Sequence, residues 1–360
     1  MLREKIGVAL SGGVDSSVAA YFLREQGYEL HGMFMRTWNA DDSLYPLSTC
    51  PWRRDLEDAQ SVAENLGIDF EVVNMIERYR ELVVKELVDG YRNGITPNPD
   101  VLCNQRIKFG ALLEHAQNIG CTKIATGHYC KRIDNSDGTS DIYEGDDKNK
   151  DQSYFLALLS QKQIKQAIFP IGTYDKPYVR MVANKLHLQT ANKKDSQGIC
   201  FLGKVKIQDF LAQYIVSTPG LIVDTGGKVI GEHNGLFRFT IGQRRGINAP
   251  SNCDNKHYVV VGKDLKQNKL IVELEDPNSK LLYKKELRVY GLSFTNHPIS
   301  DGARILAKPR YRDPSQKIIF RYIDSNSAII QFEHNQRALT SGQVIAFYDE
   351  ERLIGGGIYA

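Results

Sequence analysis

Three short segments carry residue types and spacings that could do chemistry. The first is Ala9-Leu10-Ser11-Gly12-Gly13-Val14-Asp15-Ser16-Ser17. Its adjacent glycines let the backbone approach a phosphate closely, and Ser11, Ser16 and the first amides of a following helix can donate hydrogen bonds to it. The lysine of a Gly-x-x-x-x-Gly-Lys-Ser/Thr loop is absent, and Gly-x-Gly-x-x-Gly does not match either. An acidic residue in such a cradle suits Mg2+, with Asp15 helping to hold the metal against pyrophosphate oxygens. The plainer alternative is a strand-to-helix turn that uses glycine and a serine cap. The second segment is Thr96-Pro97-Asn98-Pro99-Asp100-Val101-Leu102-Cys103-Asn104-Gln105-Arg106-Ile107-Lys108-Phe109. Its two prolines impose an extended loop, so Cys103 is expected just before or within the first turn of a helix. A thiol there, near Arg106 and Lys108, should have a lowered pKa. The third is Lys193-Lys194-Asp195-Ser196-Gln197-Gly198-Ile199-Cys200-Phe201, which sets Cys200 on a glycine-containing loop close to two lysines. Each cysteine alone reads more readily as an inert thiol; beside a phosphate loop, the pair reads as reactive.

Strands and helices alternate around these segments over the first two hundred residues. Residues 6–10 form a short apolar run, and 16–26 follow with Val18, Ala19, Phe22 and Leu23 at helical spacing. Strands are expected at 30–35, 70–73 and 123–126, and helices at 54–66, 79–91 and 107–118. That alternation specifies βαβ units and a parallel sheet covered on both faces, with ligands bound beyond the carboxyl ends of the strands. From about Pro219 the pattern changes to short β-type runs with glycine-rich turns, including a hairpin turn at Asp224-Thr225-Gly226-Gly227-Lys228. Further runs at 304–307, 317–322, 328–332, 344–348 and 353–358 read as five or six strands of a small barrel. The chain is therefore expected to be α/β, with a parallel-sheet domain over 1–205, a small mixed domain over 206–285 and a C-terminal β-barrel over 286–360.

Composition narrows the class. Hydrophobic residues make up 42% and charged residues 25% of the 360 positions, an ordinary soluble balance, and no run approaches the length of a membrane span. The N-terminus enters its first strand almost at once, which leaves no room for a signal peptide and places the protein in the cytoplasm. The six cysteines (50, 103, 121, 130, 200 and 253) are scattered and include no Cys-x-x-Cys pair, so reduced thiols are expected rather than a disulfide framework or a zinc site. Cys50, Cys121, Cys130 and Cys253 lack a motif and read as structural. Net charge is only +3, yet residues 281–360 hold eleven Lys or Arg against eight Asp or Glu, several of them in Lys308-Pro309-Arg310-Tyr311-Arg312. Such a region suits a polyanion or simply a solvated barrel surface.

The loop Ser-Gly-Gly-Val-Asp-Ser-Ser resembles the pyrophosphate loop of the N-type ATP pyrophosphatases, which cleave ATP between the α and β phosphates and adenylate a carbonyl oxygen. All three segments in this order resemble the tRNA-specific 2-thiouridylase family. So do Phe34-Met35-Arg36-Thr37-Trp38, Thr126-Gly127-His128-Tyr129, Lys150-Asp151-Gln152-Ser153-Tyr154-Phe155-Leu156 and Phe239-Thr240-Ile241-Gly242-Gln243-Arg244-Arg245-Gly246. The resemblance implies an adenine-nucleotide α-hydrolase-like first domain and thiolation of the wobble uridine, position 34, of tRNAs with Glu, Gln or Lys-type anticodons. ATP and Mg2+ would be required, with Ala9, Leu10, Ser11, Gly12, Gly13, Val14, Asp15, Ser16, Met35 and Gly127 around the nucleotide. Cys200 would carry a persulfide received from a sulfur-relay protein or a cysteine desulfurase. Cys103 would be the second catalytic thiol, releasing sulfide or closing a transient disulfide with Cys200, and Asp100 the general acid/base. Asn98, Pro99, Asp100, His128, Lys150, Asp151, Gln152, Arg310, Tyr311 and Gln343 would meet tRNA. Ile95 stands where the family often has a basic residue, which removes one phosphate contact.

Two other readings compete. An amidating ligase of the same ATP group needs no paired cysteines, and a non-catalytic RNA-binding relic would bind tRNA without releasing pyrophosphate.

Overall fold

In a computed structural model of the chain, residues 3–38, 51–194, 205–247 and 257–360 are described. Strands are numbered in chain order. The first sheet contains β1 (Lys5–Ala9), β2 (Glu29–Arg36), β3 (Asp69–Asn74) and β4 (Lys123–Ala125). Next come β5 (Cys130–Asp134) and β6 (Ser140–Glu144), a hairpin that leaves this sheet, and then β7 (Ala167–Ile168), which rejoins it. The order is β3-β2-β1-β4-β7, with every pairing parallel. A central parallel strand is covered on both faces, and accordingly Ile6 and Val8 of β1 are fully buried. They pack with Leu23 of the helix Val14–Glu25 and with Ala59, Val62 and Leu66 of the helix Pro51–Leu66.

The helix carrying Cys103 begins eight residues earlier than its apolar periodicity indicates. Asn98 caps it by accepting a 3.2 Å hydrogen bond from the Val101 amide, and Pro99 occupies the first helical position. Proline is favoured there because its missing N–H would have had no partner. Cys103 therefore lies in the second turn, and residues Cys103–Leu112 are wound as a π-helix, a rare form that is frequent at functional sites.

The small central sheet has the order β10-β11-β8-β9, from β8 (Gly220–Asp224), β9 (Val229–His233), β10 (Tyr258–Asp264) and β11 (Lys269–Leu274). The expected hairpin turn joins β8 to β9, and Asp224 accepts bonds from the amides of Gly226 and Lys228, both at 2.9 Å. The barrel uses six strands. These are β12 (Tyr283–Phe294), β13 (Arg304–Lys308), β14 (Gln316–Asp324), β15 (Ser327–Arg337), β16 (Val344–Asp349) and β17 (Arg352–Tyr359). Pairing of β12 with both β15 and β17 closes it around Val289, Phe320, Ile330, Phe332 and Phe347.

The stretch 135–147 reads as an exposed acidic loop, but most of it is the β5–β6 hairpin, and β6 pairs antiparallel with β17 (Leu353↔Ile142). Its buried polar groups have partners that the sequence does not announce. The Ser140 amide donates to Gln161 at 2.8 Å, and Asp141 lies 3.5 Å from Arg352. The barrel and the segment between β4 and β7 are thus parts of one hydrogen-bonded sheet.

Candidate active site

The phosphate-type loop joins β1 to the helix Val14–Glu25. Gly13 is the N-cap, and no side chain caps that end, so its first amides are open to an anion. Gly12 has φ +70°, and a Cβ there would stand 2.1 Å from the Asp55 carbonyl oxygen. The loop is braced from inside: the Ser16 hydroxyl lies 3.1 Å from the Ser11 hydroxyl, accepts from the Ser11 amide at 3.1 Å and donates to the Gly13 carbonyl at 3.1 Å. Gly127, beyond the end of β4, packs on the same turn, and a Cβ there would lie 2.6 Å from the Ser16 nitrogen. A glycine cradle with unclaimed amides fits a polyphosphate.

Asp15 has other partners than the metal expected for it. Lys176 Nζ lies 2.7 and 2.8 Å from its two oxygens, and Tyr129 donates its hydroxyl to Oδ1 at 2.8 Å. Among the described residues no group of three or more His, Cys, Asp or Glu side chains is gathered that could hold an ion. A second lysine secures the other side of the loop: Lys193 Nζ donates to the Gly12 carbonyl at 2.8 Å and bridges Asp55 at 2.7 Å and Asp58.

The loop forms one wall of a cleft of about 830 Å³. Asp100, Cys103, Asn104 and Lys108 line it from one face of the second-segment helix. His128, Tyr129, Lys150, Gln152 and Phe155 come from the β4–β7 connection, and Tyr311 and Arg312 from the barrel. Five cations (Lys108, Lys150, Lys193, Lys194 and Arg312) face three carboxylates (Asp15, Asp55 and Asp100), a balance that suits a polyanion. Tyr311 packs against Phe155 with ring centroids 4.3 Å apart, and the Arg312 guanidinium sits 5.3 Å from the Tyr311 ring. Arg312 adopts φ +67°, a strained conformation for a non-glycine residue and one that tends to mark functional positions.

Cys103 is 1% exposed and packs with Tyr79, Val83, Leu87 and Phe210 on the side away from the cleft. Arg106 is not turned to it as expected: its guanidinium bonds Glu86 and the Leu82 carbonyl. Lys108 is the lysine of that helix that shares the cleft with the thiol. His128 shares a 2.7 Å hydrogen bond with Thr126 and packs edge-on to Phe169. Burial, and after it the Lys108 charge, hold its pKa well below the usual histidine value, so the ring is neutral at physiological pH.

Most of the other residues singled out in the sequence support the cleft without lining it. Ala9 ends β1, Leu10 is 2% exposed in the core beneath the loop, and Met35 on β2 packs between two apolar clusters. Asp151 is buried, accepting from the amides of Gly145 and Ser153 at 3.1 Å each and pairing with Lys308 at 2.9 Å. Gln152 lines the cleft and accepts from the Tyr129 amide at 3.1 Å. Arg310 pairs with Asp313 at 2.9 Å. Asn98 and Pro97 line a separate cavity of about 400 Å³, and Pro99 is buried. Gln343 donates to the carbonyl of Thr96 at 2.7 Å, while the Thr96 amide donates to the Ser341 carbonyl at 2.9 Å. Gly342 beside it has φ +88°, and a Cβ there would lie 2.3 Å from Ile95. The barrel thus grips the loop that leads into the Cys103 helix. Gln343→Ala is expected to lower stability by about 1 kcal/mol and to loosen that loop, read as a lower melting temperature and faster amide exchange at residues 95–98. Cys200 lies outside the described residues.

Nothing in the sequence marks Lys176, Tyr129, Asp55 or Asp58 as partners of the loop, because they arrive by tertiary folding from distant positions. Arg312 had a signal, its place in the basic cluster 308–312.

The family model for the tRNA methyl transferase HUP domain matches residues 4–204, that for the tRNA methyl transferase PRC-barrel domain 208–273, and that for the aminomethyltransferase beta-barrel domain 284–359. The tRNA-specific 2-thiouridylase MnmA of Akkermansia muciniphila is 47% identical over 355 residues, which is 99% of this chain and 98% of that protein. Its namesake in Proteus mirabilis is 42% identical over 359 residues, 99% and 97% of the two chains. Among solved structures, the U34-tRNA thiolase NcsA of Methanococcus maripaludis is 20% identical, covers 59% of this chain and 66% of its own, and has a TM-score of 0.36, a likeness too distant to bear on the chemistry.

Proposed function

The chain belongs to the tRNA-specific 2-thiouridylases, a family of sulfurtransferases, and on that premise we propose that it replaces O2 of the wobble uridine of tRNA with sulfur in an ATP-dependent reaction. The observation that carries this reading is a single cleft with the glycine cradle on one wall, Cys103 and Asp100 on another and a basic, aromatic lip contributed by the barrel. ATP supplies an adenylyl group that turns the uracil O2 into a leaving group, with pyrophosphate released. The chain's own residues do the rest. The open amides of the loop hold the phosphates, and Tyr311, with Arg312 beside it, offers a stacking face for a base splayed out of an anticodon loop. Asp100 handles the proton at the base.

In this proposal Cys200 carries a persulfide delivered by a sulfur-relay protein or a cysteine desulfurase in the cytoplasm. Its terminal sulfur attacks C2 and AMP leaves, which gives a Cys200–S–S–C2 adduct. The Cys103 thiolate then attacks the Cys200 sulfur. The S–S bond to the transferred atom breaks, its electron pair becomes the thiocarbonyl, and a Cys103–Cys200 disulfide remains for an external thiol to reduce. The test incubates the protein with ATP, Mg2+, a cysteine persulfide donor and unmodified tRNA, then digests the RNA and weighs its nucleosides. A uridine heavier by sulfur in place of oxygen is the expected product. Its absence, with tRNA and donor shown to be competent, would overturn the proposal.

A further inference from the structure

Gln163, in the short helix Gln161–Lys165, ties that helix to the one that carries Cys103, and it does so with both polar atoms of its side chain. Its amide nitrogen donates to the carbonyls of Gln105 at 2.7 Å and Phe109 at 2.9 Å. Its amide oxygen accepts from the Ser160 amide at 2.9 Å and the Ser160 hydroxyl at 3.0 Å, which sets the nitrogen as the end that faces the other helix. Gln105 and Phe109 lie within the π-wound stretch Cys103–Leu112, and one amide with two N–H bonds reaches both of their carbonyls. Ten residues is a long run for a winding that is found mostly as single turns. An uncommon backbone state of this kind persists where the surroundings hold it.

The winding matters to the cleft. A π turn takes in more residues than an α turn, so each residue rotates the chain less. Between Cys103 and Lys108 the shortfall adds up to about a quarter turn, which carries Lys108 back onto the face that presents Asp100, Cys103 and Asn104. Asn104 and Lys108 line the cleft, and each is followed in sequence by one of the two residues whose carbonyls Gln163 holds. The short helix is itself anchored. Gln161 donates to the carbonyls of Ser140 at 2.9 Å and Thr295 at 2.6 Å, so it is fastened to the β5–β6 hairpin and to the end of β12. Ile164 is fully buried.

We infer that Gln163 is a positioning residue for sulfur transfer, holding the π winding that sets Cys103 and Lys108 on one face while touching no substrate itself. The inference rests on the sulfur-transfer reading above and adds to it the group that aligns the Cys103 thiol. Small displacements of a reacting group are costly in rate, so a loosened winding should appear in turnover rather than in binding.

The test separates the two halves of the Gln163 side chain, which is half-buried. In Gln163→Glu the bonds to Ser160 survive, but a carboxylate faces the two carbonyls. In Gln163→Lys an ammonium still donates to the carbonyls, and the Ser160 bonds are lost. The expected result for Gln163→Glu is a kcat for thiouridine formation lower by about tenfold or more, with KM for ATP and tRNA unchanged. Gln163→Lys should stay within about threefold of the wild type. Amide exchange over residues 103–112 should quicken in Gln163→Glu and not in Gln163→Lys. Thermal melts report folding. If Gln163→Glu does not fold, Gln163→Met, of like length with neither donor nor acceptor, takes its place with the same expectation. Wild-type turnover in Gln163→Glu, or equal losses in Gln163→Glu and Gln163→Lys, overturns the assignment. If the wild type forms no thiouridine, the sulfur-transfer reading fails and the positioning role falls with it, whereas the exchange rates still report whether Gln163 holds the winding.

Discussion

Cys103→Ser is expected to stop sulfur transfer while leaving tRNA-dependent pyrophosphate release running. A serine hydroxyl cannot form a disulfide and is a poor nucleophile toward sulfur, so thiouridine formation should fall on the order of 10³-fold or more, as is usual when a nucleophile is lost. The cradle and Asp100 are untouched, so activation of the uridine continues and the two steps separate. The substitution also has a structural effect. Cys103 is 1% exposed among Tyr79, Val83, Leu87 and Phe210, and a hydroxyl in that setting costs about 1–3 kcal/mol unless it finds a partner. Cys103→Ala, which adds no polar group, controls for this. Both variants should be folded by melting and should release pyrophosphate in single-turnover assays without thiolated tRNA. Full thiolation by either one would remove Cys103 from the chemistry.

Gly12→Ala should be the most damaging change in the phosphate cradle. The position has φ +70°, and a methyl would fall 2.1 Å from the Asp55 carbonyl oxygen, 2.7 Å from its carbon and 2.8 Å from its Cα. These are backbone atoms of a helix that cannot swing aside. Left-handed strain and overpacking together cost about 2–4 kcal/mol. The loop can yield only by moving off the bridge in which Lys193 joins the Gly12 carbonyl to Asp55 and Asp58. A lower melting temperature and at least a tenfold weaker affinity for ATP are therefore expected together. Gly13→Ala is the comparison, since the nearest atom to a Cβ there is a movable serine hydroxyl at 3.3 Å. Equal effects of the two substitutions would mean that the Asp55 contact does not govern the loop.

The parts of the fold and site that the sequence disclosed are those whose signals are local. A buried parallel strand, a glycine turn and an amphipathic helix fall within twenty-five residues, so the cradle and its place at a carboxyl strand end could be read directly. The Cys103 helix start was obscured because two prolines read as a loop, although proline at a first helical position opens a helix. The hairpin β5–β6 was hidden by its polarity, and β12 by the charged run Lys284-Lys285-Glu286; both are strands through their neighbours rather than their own composition. The lysine partners of the loop lie beyond any such reading. Lys176 is 161 residues from Asp15 and Lys193 is 181 from Gly12, and only the completed fold joins them.

The hairpin shared between the catalytic segment and the barrel bears on how the enzyme is made. The β6–β17 pairing joins stretches separated by about 200 residues, and the Gln343 grip on Thr96 spans 247. Contacts so far apart in sequence form late, since the chain between them must be ordered first. Strands β1 and β2 can pair as near neighbours, but the loop leading to Cys103 is gripped only once the barrel has closed. A nascent chain can pair its first strands before the barrel exists, yet the loop at 95–98 gains its Gln343 anchor only when nearly all of the chain is in place.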